Sequence, residues 1–296
     1  MKNAMVALLA ATLFASCARP VANFSYDASK KIVAPAKVSF KNESVKAEKY
    51  TWDFGDGQTS MEAQPADHQY PHSGNYVVKL TAAKGSKSKT MEKTIQVKAP
   101  EKCLVEIETD FGTMTVELFN ATPKHRDNFL KLADEGYFDG TLFHRIIPNF
   151  MIQGGDPNSK GAPAGAQLGT GGPGYTIPAE FVDSLVHIKG TLAAARTGDA
   201  VNPKRESSGS QFYIVQGGPV TDDFLDQIEA RMGKKYSPEN RAAYKALGGT
   251  PHLDFQYTAF GRVVAGLDVL DKIAAVQTAR GDRPLSDVKM KMKVIK

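Results

Sequence analysis

Two cysteines, Cys17 and Cys103, and a single tryptophan, Trp52, stand in 296 residues, so no disulfide framework can staple this chain. Runs of one charge are missing as well. Lys and Arg number 37 against 32 Asp and Glu, and the net charge of +5 is scattered, which gives nucleic acid no basic stripe to read. No apolar run reaches the ~20 residues that a membrane-spanning helix needs. The metal-binding string H-E-x-x-H and the nucleophile elbow G-x-S-x-G are both absent. Zinc and acyl-enzyme chemistries therefore lack a foothold, and no cofactor is expected. What remains is ordinary globular composition, 42% hydrophobic and 23% charged, in a chain long enough for about two domains.

The first residues read as a targeting segment. Lys2 precedes an apolar stretch from Ala4 to Ala15, too short to span a bilayer but suited to a signal-peptide core. It ends in Leu13-Phe14-Ala15-Ser16-Cys17, which resembles a bacterial lipoprotein box, with Phe14 where Leu is usual. The expectation is a signal peptide over 1–16, a lipidated Cys17 opening a short linker over 17–21, and a chain held on a bacterial envelope membrane by acyl groups. An ordinary secretory signal with a chance cysteine is the alternative. With Cys17 acylated, Cys103 has no disulfide partner.

Residues 22–98 alternate in short runs broken by turns, at Val38-Ser39-Phe40, Tyr76 to Leu80 and Thr94 to Val97, with no helical caps. This predicts a small all-β sandwich. Trp52-Asp53-Phe54-Gly55-Asp56-Gly57 supplies a turn whose carboxylates bond backbone and whose glycines take positive φ, with Trp52 and Phe54 on one face. Asp53 and Asp56 are read as turn formers rather than calcium ligands. Pro71 between His68 and His72 argues against a helix offering both to a metal, so they are assigned to loops. The turn and the later Tyr70 … Gly74-Asn75-Tyr76-Val77-Val78 together resemble the PKD domain, an Ig-like sandwich. The resemblance implies a spacer or a module that binds a glycan or protein partner, without catalytic residues.

After a linker at 99–102, a second domain over 103–296 opens with a hairpin, Leu104–Thr109 and Thr113–Leu118. A helix follows, with Thr122 as N-cap, Pro123 at its first position and Gly136 past its end. A last amphipathic helix is expected from Leu267 to about Val276. Between them, Phe143 to Asp156 packs a cation, an amide and large apolar groups around Pro148 and a double glycine. If the strand reverses at Pro148-Asn149, Arg145 and Gln153 come within reach of one face. On these residues alone, a packed strand with a structural arginine stands beside a binding site.

That run resembles the signature of cyclophilins. The likeness continues through Gly190 to Arg196, Ser208 to Ile214 and Leu253 to Val263, in family order over about residues 103 to 296. It implies an eight-stranded antiparallel barrel capped by two helices, with prolyl cis/trans isomerase activity on proline-containing polypeptides. Arg145 matches the catalytic arginine. Phe150, Met151, Tyr213 and Leu253 match the wall that receives the proline ring. Gln153, Ala195, Arg196 and Gln211 match groove positions that bind substrate backbone, with Gln153 fixing the carbonyl beside Arg145. The chain departs from the best-studied eukaryotic members at Tyr213, which adds a hydroxyl expected at the pocket edge, and at Arg196, His252 and Tyr257. The last two replace Trp and His at the rim, which argues for weak cyclosporin sensitivity. His252 reads either as part of that rim or as a surface histidine.

A segment over 216–250 exceeds the short loop of simple cyclophilins and carries two helical patterns. One opens at Thr221 and stops at Gly233; the other opens at Ser237-Pro238 and stops at Gly248-Gly249. It is either a packed elaboration or a selector of substrates. The string Gly169-Thr170-Gly171-Gly172-Pro173-Gly174 cannot open a phosphate-binding helix past Pro173 and reads as a loop. The sequence thus describes a mainly β, two-domain lipoprotein with a prolyl isomerase. A chaperone or scaffold that holds proline segments, and a wall-binding protein acting through its sandwich, are the alternatives.

Overall fold

The computed structural model describes residues 19–27, 32–99 and 103–295. Cys17, the leader over 1–16 and the linker residues 100–102 lie outside the described residues. Two compact units result. One takes Lys37–Gln69 and Asn75–Gln96 with the described residues before Ile32, and the other takes Ile32–Ala36, Tyr70–Gly74 and the chain from Val97 onward. No described helix is long and apolar enough to cross a membrane.

The first domain holds strands β1 (Phe24–Tyr26), β2 (Ala36–Val38), β3 (Phe40–Asn42), β4 (Lys49–Asp53), β5 (Thr59–Ser60), β6 (His68–Tyr70), β7 (Gly74–Lys84) and β8 (Lys87–Val97). The order β5-β4-β7-β8 makes one sheet, while β1 pairs with β3 and β2 with β6. Strand alternation sends Trp52 and Phe54 to the same side, where Trp52 is fully buried and the two rings stack at 6.2 Å. Phe24 meets Trp52 edge-on at 5.3 Å and Phe40 lies 5.8 Å from it. The lone tryptophan thus centres the core, its Nε1–H donating to the carbonyl of Glu62 at 3.1 Å.

The turn after β4 closes as its residues dictate. Asp53 Oδ1 accepts from the Gly55 N–H at 2.9 Å and Asp56 Oδ1 from that of Gln58 at 3.0 Å. Gly55 has φ +80°, and a Cβ there would sit 2.8 Å from the backbone of Val77. One expectation needs correction. His68 is no loop residue: it opens β6, is 7% exposed, stacks on Phe54 at 4.0 Å and meets Asp56 Oδ2 at 2.7 Å. A polar residue can enter a strand when a turn carboxylate waits opposite, and local pattern does not show that partner.

The second domain is one antiparallel sheet of eight strands in the order β11-β12-β16-β14-β17-β10-β9-β18. These are β9 (Leu104–Thr109), β10 (Gly112–Leu118), β11 (Arg145–Ile147), β12 (Met151–Gly154), β14 (Thr191–Ala194), β16 (Phe212–Val215), β17 (Ala259–Ala265) and β18 (Lys291–Ile295), while β13 (Thr176–Ile177) and β15 (Ser207–Ser208) form a separate pair. The two end strands do not pair with each other. The segments leading into them do, Gly140 donating to Met290, Met290 to Thr141 and Phe143 to Val288 at 2.9 Å each.

Four helices accompany this sheet: α1 (Pro123–Asp134), α2 (Asp222–Met232), α3 (Pro238–Leu247) and α4 (Leu267–Ala274). Helix α4 turns Leu270, Ile273 and Ala274 inward, as its spacing demands. Thr122 stands at the N-cap of α1 and Pro123 at its first position, as expected. Its hydroxyl makes no bond to the helix, however; Glu180, 58 residues further along the chain, accepts from the N–H groups of Lys124 and His125 at 3.1 and 3.0 Å. Pro123 has no N–H to offer, and a carboxylate satisfies two orphan donors and the helix dipole together. Helices α2 and α3 start on Thr221 and Ser237, whose hydroxyls accept from Phe224 and Asn240, and end at Gly233 and Gly248 with positive φ.

Candidate active site

Strands β14 and β16 are buried at every residue, which means that both of their faces are covered. Alternation explains how. Leu192, Ala194, Phe212 and Ile214 point into the barrel with Ile146 and Ile152. Ala193, Tyr213 and Val215 point the other way and gather with Met151 into a second, smaller apolar cluster. Ile147, Phe150, Ala195, Leu253 and Tyr257 pack around it, partly exposed. Six apolar residues singled out by sequence (Phe150, Met151, Ala195, Tyr213, Leu253 and Tyr257) therefore lie in one patch on the outer face of the sheet. Ile147, Ala193 and Val215 complete it.

The polar edge of this patch comes from a hairpin. β11 and β12 pair with Arg145 directly opposite Gln153. Between them, Asn149 takes φ +58°, a left-handed turn that asparagine tolerates better than most residues. The reversal at Pro148-Asn149 is the geometry that brings cation and amide side by side. Gln153 stands opposite Tyr213 in the next strand, and its Nε2 donates to Gln211 Oε1 at 3.1 Å, while Gln211 Nε2 donates to the Gly171 carbonyl at 2.8 Å. The glycine-rich segment is indeed a loop, and it anchors this amide chain.

Arg145 keeps 43% of its side chain exposed, and its Nε donates to Asp282 Oδ2 at 3.3 Å. Asp282 went unnoticed in the sequence. It lies 137 residues downstream in a tight turn, at φ +66°, and its own carbonyl accepts from the Ile146 N–H at 2.8 Å. One residue thus orients the guanidinium by its carboxylate and holds the neighbouring backbone by its carbonyl. Among the described residues its Nη groups make no hydrogen bond, which leaves them able to meet a ligand.

The four departures from the eukaryotic pattern resolve differently. Tyr213 does not place a hydroxyl at the pocket edge. Its O–H reaches inward to His187 Nε2 at 3.0 Å, and burial pushes its pKa far up, so it stays a neutral donor. A buried hydroxyl needs a partner, and one was available only behind the sheet. Arg196 sits over the Tyr257 ring at 4.5 Å and is tied to the Gln256 carbonyl, the Thr197 carbonyl and Asp199 at 3.0, 3.0 and 2.6 Å. It braces the wall, with most of its donors used internally. His252 stacks on Phe150 at 5.6 Å, which makes it an extension of the apolar wall. Burial lowers its pKa, with the Arg231 charge adding to the effect, so the ring is neutral above pH 6.5.

An apolar cluster on the outer face of an antiparallel barrel, partly exposed and flanked by a half-exposed arginine and a chain of amides, is thus the candidate site. The family described as cyclophilin type peptidyl-prolyl cis-trans isomerase/CLD matches residues 104–294, and the PKD domain matches residues 17–99. A Staphylococcus aureus protein named for peptidyl-prolyl cis-trans isomerase activity is 38% identical over 185 residues, 62% of this chain and 87% of that one. A Streptococcus pyogenes protein named for bifunctional phosphatase and peptidyl-prolyl cis-trans isomerase activities is 43% identical over 187 residues, but those span only 37% of its length. A Cryptosporidium parvum cyclophilin-type isomerase of known structure superposes with a TM-score of 0.48 at 25% identity, over 66% of this chain and 98% of its own. The chain belongs to the cyclophilin-type peptidyl-prolyl cis-trans isomerase family, and carries a PKD domain ahead of the isomerase domain.

Proposed function

We propose that Arg145 and the patch beside it accelerate rotation about Xaa-Pro bonds in proline-containing polypeptides. The supporting observation is the register of one hairpin, which sets Arg145 opposite Gln153 at the edge of the apolar cluster. Amide resonance holds the bond behind a barrier of about 18–20 kcal/mol, and no covalent bond needs to break. Twisting localises the lone pair on the proline nitrogen. A guanidinium that cannot lose its proton offers donors to that nitrogen as charge develops. Asp282 keeps the guanidinium pointed, and Gln153, steadied by Gln211, holds the carbonyl side. Phe150, Met151, Tyr213 and Leu253 receive the ring and exclude water from it. Arg196 and Tyr257 stiffen the far wall, with Ala195 leaving room for substrate backbone and His252 lengthening the apolar edge. Arg145→Ala, assayed on a short Xaa-Pro peptide against wild type, tests this directly; equal rates would end the reading.

The chain's cellular setting is part of the same proposal. Lys2, the apolar stretch to Ala15 and the Ser16-Cys17 junction support cleavage after Ser16 and acylation of Cys17, leaving the domains outside a bacterial envelope membrane. The client class is then envelope polypeptides, with the PKD domain as spacer or as a site for a glycan or protein. Labelling of wild type but not Cys17→Ser by a clickable fatty acid checks the anchor.

A further inference from the structure

Behind the proline patch lies a buried polar chain that the rotation chemistry does not use. It begins at Tyr213, whose ring belongs to the patch and whose hydroxyl donates to His187 Nε2 at 3.0 Å. His187 Nδ1 faces Asp254 Oδ1 at 2.7 Å, and the His187 backbone N–H donates to the same oxygen at 2.8 Å. The other oxygen, Oδ2, accepts from the hydroxyls of Tyr236 at 2.6 Å and Tyr244 at 2.5 Å. His187 is 0% exposed and Asp254 1%, so the carboxylate sits away from water with four donors around it. The roles follow from these partners: Nδ1 carries the imidazole proton toward the carboxylate, and Nε2 accepts. Burial raises the pKa of all three phenols, which keeps each a donor.

The far end of this chain belongs to the insertion. Tyr244 is on α3 and Tyr236 immediately precedes that helix, and both pack in a core of their own with Leu225 and Ile228 of α2. The near end controls two walls at once. Tyr213 is one, and Leu253, adjacent to Asp254 in sequence, is the other. His252, stacked on Phe150, lies in the same short turn, Pro251–Leu253. A set of bonds that touches the insertion at one end and both sides of the recess at the other has the layout of a positioning device.

We infer that Tyr236 and Tyr244 of the helical insertion are positioning residues of the proline site, setting the width of the recess through Asp254 and His187. This rests on the isomerase reading for its assay. The recess holds the ring before and during rotation, so loosening it weakens binding in both states and raises KM more than it lowers kcat.

The experiment is a double-mutant cycle on the full chain. Tyr236→Phe with Tyr244→Phe, Tyr213→Phe, and all three together are assayed on an Xaa-Pro peptide, with thermal melting run alongside. The insertion pair is expected to raise KM about fivefold, the equivalent of one hydrogen bond, with kcat within about twofold. In the Tyr213→Phe background the same pair should raise KM by clearly less, because the path through Tyr213 is cut and only the one through Asp254 to Leu253 remains. Unchanged KM in a folded insertion pair, or the same rise in both backgrounds, overturns the inference. If the pair does not fold, Tyr213→Phe alone decides for the Tyr213 path, which it severs while leaving the insertion bonded to Asp254: a raised KM with kcat kept supports the inference and an unchanged KM overturns it. Wild type that fails to accelerate isomerisation would count against the isomerase reading instead. The relay would then be judged by calorimetric Kd for the same peptide, with the same pattern expected across the cycle.

Discussion

The two domains use their aromatic residues in opposite ways. In the sandwich, Phe24, Phe40, Trp52 and Phe54 close on one another, and even His68 is stacked into that core. Its acidic turn residues bond its own backbone. In the barrel, Phe129, Phe138, Phe143 and Phe212 fill the interior, yet Phe150, Tyr213 and Tyr257 are turned to the outer face beside a half-exposed cation. There Phe150, Leu253 and Tyr257 stay partly exposed over the buried Met151 and Tyr213. The large apolar residues that the sandwich exposes, Val21, Val45, Met61 and Val77, include no ring.

The sharpest way to break this contrast is Arg145→Ala, which should cut kcat/KM by ~100-fold or more while leaving the melting temperature nearly unchanged. Trp52→Ala is the mirror experiment. It empties the sandwich core at a cost of about 3–5 kcal/mol, seen as a lowered first transition in calorimetry, with peptide turnover retained. Glu180→Ala should be felt throughout the barrel by about 1–3 kcal/mol, because two N–H groups of α1 and the His125 ring, at 2.7 Å from Glu180, lose their acceptor together. Denaturant midpoints measure it. Asp282→Asn should lower kcat about fivefold without a matching change in KM, because it frees the guanidinium only partly.

The smallest effect expected is a pH dependence. His144 is 5% exposed, and burial holds its pKa below 6.5, with the Arg145 and Arg283 charges pushing the same way and Asp156 opposing them. Below pH 6.5 the unfolded chain takes up a proton that the folded domain refuses, so stability falls with acidification from there down to the folded pKa. His144→Gln should flatten this part of the stability curve. Glu180 acts lower on the scale. Burial alone would raise its pKa, but bonds from the His125 ring and from the backbone of His125 and Lys124 outweigh it and leave the carboxyl below 4.5. Its stabilisation is present above that value and is lost as pH falls through the depressed pKa. A barrel whose stability is level between pH 7 and 5 would show that His144 is not held neutral.

Much of the site was legible because its parts are close in sequence. The turn residues Pro148 and Asn149 bring Arg145 opposite Gln153, only eight positions on, and the alternation of β16 sends Tyr213 to one face and Phe212 to the other. The insertion helices begin and end on hydroxyl caps and glycines that any reader of the chain can see. Other assignments failed for want of distant partners. Tyr213 looked as if it offered a hydroxyl to the pocket, but His187 takes it; His68 looked like a loop residue, but Asp56 and Phe54 receive it in a strand; and Thr122, at the N-cap of α1 as read, leaves the bonds there to Glu180.

The sequence by itself determined the two β domains, the hairpin that pairs cation with amide, and most of the residues that gather in the apolar cluster beside it. Those features depend on backbone preferences and periodicities that act over a few residues. Only the tertiary structure decided which polar groups face one another across the chain: Asp282 on Arg145, Glu180 on α1, Asp254 between His187 and two tyrosines of the insertion. A buried polar atom must find a partner, but the partner can come from any strand or turn that folding carries past it.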